Sequence, residues 1–206
     1  MYIAIGTRSD IAHAVNSLSQ FNCKHGMVHW QAAKRVLRYL TGTLNKKLTF
    51  SKNENGIQGF ADADWGNCII DRSSYTGYVF TLCGGAVSWC LKKQRTVALS
   101  STEAEYMALS EAGKECLFLY TFFQEIGLWK SPKISIFSAM ALVKNPVFQS
   151  RTKHIDIRYH FIRRILKDGK FKLNYIATEE MIADILTKGL TTLKHEYFVK
   201  KLGLRN

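Results

Sequence analysis

A chain of 206 residues with 47% hydrophobic and 12% aromatic side chains can build a packed core, and two prolines do not suit a linker or low-complexity protein, so wholesale disorder is excluded. No apolar run approaches the roughly 18–20 residues needed to span a bilayer, and the start MYIAIGTRSD lacks the basic and long apolar regions of a secretory signal. Lys and Arg number 29 against 16 Asp and Glu, a formal charge of +13.

That charge is uneven. Residues 1–56 hold 8 basic and 2 acidic side chains, residues 151–206 hold 13 and 6, and the stretch between holds 8 of each. Basic ends around a neutral middle suit a polyanion such as nucleic acid, because each cation that neutralises a phosphate releases counterions. The bland alternative is charge kept for solubility. Cys23, Cys68, Cys83, Cys90 and Cys116 are odd in number and lack C-x-x-C spacing. They point to reduced thiols inside the cell, cytoplasmic or nuclear, and away from a disulfide framework or a zinc site.

In chain order, Ser9-Asp10 opens a helix carrying Ile11, Ala14, Val15, Leu18 and Phe21 at helical spacing. A second helix runs from about His29 to Leu40, with Lys34, Arg35 and Arg38 off its apolar face and Gly42 beyond its end. The polar run SKNENG, residues 51–56, closes this helical appendage. The period then changes. Ile57 to Ala63 reads as a strand, Tyr75 to Leu82 and Ala86 to Trp89 as a hairpin turning at Gly84-Gly85, and Thr96 to Leu99 as a further short strand. Ser100 with Glu103, and Thr102 with Glu105, form overlapping capping boxes that open a long helix to about Ile126, ended by Gly127. A strand at Lys133–Phe137, a short helix at Ala139–Lys144, a helix at His154–Lys167, a strand at Phe171–Ile176 and a helix from Thr178 to about Leu186 follow. Hairpins first and helix-separated strands afterwards predict an α/β or α+β layer fold with a mixed sheet. The division expected is a helical segment over 1–56, the sheet domain over 57–190 and a tail helix over 191–206.

Several acids sit at the ends of these elements. Asp62 and Asp64 end the first strand, Glu103 and Glu105 lie in the first turn of the long helix, and Asp184 lies in the last helix. Carboxylates converging from separate elements are what divalent ions need, and two such ions activate water against a phosphodiester. Each acid also has an ordinary reading, as a turn residue, a cap or a solvated helix residue.

Four longer strings carry a resemblance. FADADWGNCIIDRSSYTGYVF, AVSWCLKKQRTVALSSTEAEYMALSEAGKE, NPVFQSRTKHIDIRYHFIRRIL and EEMIADILTKGL resemble the ribonuclease H region of copia-type retrotransposon Pol polyproteins, and TRSDIAHAVNSLSQF and HWQAAKRVLRYLTGT resemble the segment that joins it to reverse transcriptase. The resemblance implies a ribonuclease H-like fold, a five-stranded mixed sheet flanked by helices. It implies hydrolysis of the RNA strand of RNA/DNA hybrids by two Mg²⁺ held by four carboxylates, and a reverse transcriptase domain in the parent polyprotein. Asp62, Glu103 and Asp184 take three of the four carboxylate places for both catalysis and metal, with Glu105 as the alternative to Glu103.

The fourth place departs from the family. There the strand after the long helix runs into an Asp-Asn-Gln segment, whereas here the chain reads KISIFSAMALVKNP, and no Asp or Glu occurs between Glu125 and Asp156. Ser138 falls near the lost position. A neutral hydroxyl is a weak ligand and does not replace a carboxylate that bridges two dications. The expected outcome is Mg²⁺ binding put in doubt and catalysis impaired or absent.

For nucleic acid, the candidates are Arg151, Lys153 and Arg158 in the basic cluster that also holds His154, His160, Arg163 and Arg164, and Lys92 and Lys93 flanking the groove. The alternatives are a solvated helix face and a charged loop. Trp65 and Trp89 could stack on bases, with a core place the better reading for Trp89.

Overall fold

The computed structural model describes residues 1–51, 56–68, 70–129, 132–139 and 153–206, with side chains from 157 onward in the last stretch. The helix expected over Ala139–Lys144 lies, beyond Ala139, outside the described residues. Three helices come first: α1 (Tyr2–Gly6), α2 (Ala12–Ser19), preceded by a 3₁₀ turn over Ser9–Ile11, and α3 (Met27–Gly42). A two-residue strand β1 (Lys47–Leu48) leads to β2 (Ile57–Asp64), β3 (Tyr75–Leu82) and β4 (Gly85–Lys93). The long helix α4 (Ser101–Glu125), β5 (Ile134–Ser138), α5 (Lys153–Lys167) and β6 (Lys172–Tyr175) follow, then α6 (Asp184–Thr187), α7 (Thr192–Lys201) and β7 (Leu204–Arg205). Among the described residues, no helix is long and apolar enough to cross a membrane.

The main sheet has five strands in the order β4-β3-β2-β5-β6. β2–β3 and β3–β4 pair antiparallel, while β2–β5 and β5–β6 pair parallel. This is the mixed sheet of the ribonuclease H-like fold that the resemblance implies. Because side chains alternate across a strand, the sheet has two apolar faces. Ile57, Ala61 and Phe80 pack with Leu109, Ala112 and Cys116 of α4 and Ile162 and Ile165 of α5. Phe60 and Val79 pack on the other side with Ile185 and Leu186 of α6 and Phe198 and Val199 of α7. Covered on both faces, β2 is buried at seven of its eight positions.

Four local readings change. The β3–β4 turn is Cys83-Gly84, at φ 53° and 73°, because a tight two-residue turn of this hand needs both central residues at positive φ, and Gly85 instead pairs with Leu82. Thr96–Leu99 is not a strand. The β3–β4 ladder closes at Tyr75↔Lys93, with the Gln94 N–H donating to the Ser74 carbonyl; farther on, the Ala98 carbonyl accepts from Trp65 and the Leu99 N–H donates to Glu103. The helix expected from Thr178 is split into a 3₁₀ turn and α6, since Met181, with ψ 95°, leaves the helical region and is buried in the core. Beyond α7 the chain continues into β7, which pairs antiparallel with β1.

Candidate active site

β2 carries Asp62 and Asp64 two residues apart, hence on one face of the strand, and both are buried. Opposite Asp62 in β3 stands Gly77. A Cβ there would lie 2.6 Å from Thr187 Cγ2 and 3.1 Å from Leu186 Cβ, so the bare glycine is what lets α6 settle over the end of β2.

α6 then delivers the second acid. Asp184 is its first residue, and Lys188 follows one turn later, on the same side. Lys188 Nζ lies 3.2 Å from Asp62 Oδ1 and 2.8 Å from Asp184 Oδ1. Lys194 of α7 donates to Asp184 Oδ2 at 3.0 Å, and the Thr187 hydroxyl donates to Asp62 Oδ2. All four carboxylate oxygens of Asp62 and Asp184 therefore accept from donors of this chain. Burial pushes the Asp62 carboxyl above its ordinary range against the pull of Lys188 and Thr187. Burial alone would lower Lys188, but the charges of Asp62 and Asp184 outweigh it and the ammonium is held above its ordinary value.

On α4 the structure separates the two glutamates. Glu103 turns back on its own helix start: its carboxylate accepts from the Leu99 N–H at 2.7 Å, and its N–H donates to Ser100 Oγ at 3.1 Å. Glu105 is the one in the field of Asp62, and its carboxyl is raised by burial and then by that negative charge. Glu103 is thus engaged at its own helix start, while Glu105 shares the electrostatic neighbourhood of Asp62. The two overlapping capping boxes in the sequence do not tell the glutamates apart; the fold does, by starting α4 at Ser101 with Ser100 as its cap. Asp64 accepts from the Tyr75 N–H at 2.9 Å, and burial raises its carboxyl as well.

The fourth position is the end of β5. Phe137 pairs in register with Phe60 and stacks on it with ring centroids 5.1 Å apart. Ser138 comes next, toward the Asp62 end of β2. It is 2% exposed, pairs with Tyr175, and its carbonyl accepts from the Ile176 N–H at 3.2 Å. Among the described residues, no group of three or more His, Cys, Asp or Glu is arranged to hold a metal ion. Among the described residues the donor set does not fit a pair of divalent ions: Asp62 and Asp184 have every oxygen engaged and two ammonium groups balance their charge.

The structure distributes the other candidates. Arg151 lies outside the described residues, and Lys153 starts α5 with its side chain outside them. Arg158 donates to Ser110 Oγ at 3.2 Å and so ties α5 to α4. Lys93 pairs with Asp71 at 2.8 Å, whereas Lys92 is exposed. Trp89 donates to the Ala4 carbonyl at 2.9 Å and packs against the core, while Trp65 is 57% exposed. Sequence reading missed Lys188 and Lys194 altogether, although LTKG in EEMIADILTKGL places Lys188 four residues after Asp184.

No family model matches the chain. It is 44% identical over 209 residues to the retrovirus-related Pol polyprotein from transposon TNT 1-94 of Nicotiana tabacum, covering 100% of this chain and 16% of that protein. It is 38% identical over 208 residues to the corresponding polyprotein from transposon RE2 of Arabidopsis thaliana, covering 98% of this chain and 14% of that protein. Along its whole length the chain is homologous to a segment of copia-type retrotransposon Pol polyproteins. It spans only about a seventh of the length of these Pol relatives. A Pol-like stretch also matches the secreted RxLR effector protein 161 of Plasmopara viticola, at 53% identity over 120 residues, 58% of this chain and 84% of that protein. Among solved structures, the foamy viral protease-reverse transcriptase dRH in complex with ds DNA matches with a TM-score of 0.50 at 15% identity, over 86% of this chain and 30% of that one. That likeness concerns the fold alone.

Proposed function

We propose that this copia-type segment is a nucleic-acid-binding ribonuclease H-like domain whose ancestral chemistry, hydrolysis of the RNA strand of an RNA/DNA hybrid, is impaired. Two observations carry the reading: the chain ends β5 at Ser138 with no Asp or Glu between Glu125 and Asp156, and the acid pair Asp62 and Asp184 is already neutralised by lysines. Losing one carboxylate from a two-ion centre removes a bridging ligand and costs several kcal/mol of transition-state stabilisation, or orders of magnitude in rate. The formal charge of +13 supports a retained grip on a polyanion, with the hybrid as substrate and a reverse transcriptase domain as covalent neighbour in the parent polyprotein. A second reading, a catalytically dead binding remnant or host-recruited copy inside the cell, is favoured by the engagement of every oxygen of Asp62 and Asp184.

Hybrid binding as a function of salt tests the reading, with cleavage followed in Mg²⁺. The expected result is affinity that falls steeply with salt, with a log–log slope of several units, and cleavage absent or slow. Affinity indifferent to salt would remove the polyanion reading, and rapid Mg²⁺-dependent cleavage would remove the impairment.

A further inference from the structure

We infer that Lys188 is the resident cation of the acid centre: its ammonium bridges Asp62 and Asp184 and competes with any divalent ion for the same oxygens. The inference deepens the proposed function and rests on it. It starts from the disagreement between the family's two-ion centre and the groups present here.

Two buried carboxylates facing one another repel, and in the absence of a metal something must offset that repulsion. Lys188 is placed to do so. It contacts one oxygen of each acid, at 3.2 Å and 2.8 Å, and reaches them from the helix that Asp184 itself begins. The Asp62 and Asp184 side chains are 6% and 1% exposed, whereas that of Lys188 is 34% exposed. The acids are thus fixed inside the fold while the ammonium remains partly open to solvent. Lys194 differs. It touches Asp184 Oδ2 alone and makes no contact with Asp62.

A divalent ion that takes Oδ1 of both acids must first displace the Lys188 ammonium, and a lysine left beside it repels it at short range. Lys188 is therefore a positioning residue. It holds Asp62 and Asp184 at a fixed separation without metal and weakens divalent binding by the same contacts.

The experiment is a Mn²⁺ titration followed by electron paramagnetic resonance on the whole chain and on Lys188→Gln, Lys188→Met and Lys194→Gln, each with and without Ser138→Asp. Thermal unfolding of the same proteins is recorded in EDTA and in Mg²⁺ at matched ionic strength. Both Lys188 variants are expected to bind Mn²⁺ at least about tenfold more tightly than their parents, since they lose a cation that bridges both acids, and Lys194→Gln to change affinity by less than about threefold. The unaltered chain is expected to melt at one temperature in EDTA and in Mg²⁺, and the Lys188 variants to melt lower in EDTA and recover in Mg²⁺. A Lys188→Met chain that folds only with the divalent ion present supports the inference, and Lys188→Gln, which keeps a donor and loses the charge, covers failure of the methionine to fold. Unchanged or weaker Mn²⁺ binding in the Lys188 variants, or equal gains from Lys188→Gln and Lys194→Gln, would overturn it. Failure of the Ser138 account shows separately, as no effect of the added aspartate in any lysine background.

Discussion

Around Asp62 the chain closes from three directions, with β3 beside it, α6 above it and the start of α4 at its end, and every oxygen of Asp62 and Asp184 has a partner. α3 is built the other way. It runs sixteen residues without one buried side chain, and Met27, Val28, Trp30 and Leu37 along it are each more than half exposed. What fixes this region is a polar cluster. Arg8 forms a bidentate pair with Asp10 at 2.9 and 2.8 Å and donates to Thr43 Oγ1 at 2.8 Å, and the Tyr39 hydroxyl donates to Asp10 at 2.7 Å. His195 of α7 adds a hydrogen bond of 3.0 Å to the Asp10 carbonyl. The comparison teaches where cooperativity resides: the acid centre, like Ala4 and Ala12 of the first two helices, shares its support with the main core, while α3 hangs on a few polar contacts.

Breaking the weaker side should give the largest effect. Asp10→Ala leaves the Arg8 guanidinium, with its side chain 9% exposed, without its carboxylate, a loss of about 3–5 kcal/mol for a broken buried pair. The expected phenotype is local: limited proteolysis cuts within residues 12–46 while the sheet domain still melts cooperatively. Gly77→Ala probes the other side. Its Cβ would press on Thr187 and Leu186, so α6 must shift, at a cost of about 1–3 kcal/mol for overpacking. Here calorimetry should show the whole sheet transition moving down, with no early loss of the helices. If both variants melt the molecule as one unit, the distinction between the regions fails.

A smaller effect marks the strain at the acid centre. Glu105 has its carboxyl raised in the folded state by burial and by Asp62, so its contribution to stability is present below its unfolded pKa and lost as pH rises through the folded value. Glu105→Gln should therefore raise Tm by about 1–2 °C near neutral pH, and the gain should vanish below about pH 4, where both side chains are neutral. A lower Tm at neutral pH would show that the charge on Glu105 supports the fold. The mildest test is chemical. Burial pushes the Cys116 thiol up to about 12, whereas Cys23 is exposed on the helical side. Alkylation at pH 8 in native buffer should modify Cys23 first and Cys116 only after unfolding, and early labelling of Cys116 would place it outside the stable core.

Local chemistry made much of this legible. α4 could be read at both ends because Ser100 caps it and Gly127, at φ 69°, terminates it. β2, β3 and β5 announced themselves as apolar runs, and Asp62 and Asp184 by their places at element ends. Illegible features depended on partners distant in sequence. Thr96 and Val97 carry β propensity, but no neighbouring strand remains there for the backbone to pair with. β1 and β7 are two residues each, too short for a periodic signal, and form only because the segment after α7 returns beside the one after α3. That Glu103 folds back on the Leu99 N–H shows only once the helix start is set, and Lys188 gained its meaning only when α6 was set against β2.

The central claim is that the centre lacks one acid at Ser138. It is tested most directly by single-turnover cleavage of an RNA/DNA hybrid in Mg²⁺, comparing the unaltered chain with Ser138→Asp. The account predicts little or no cleavage by the unaltered chain and a gain of about tenfold or more once the carboxylate is supplied. Cleavage by the unaltered chain that equals or exceeds that of Ser138→Asp would contradict it.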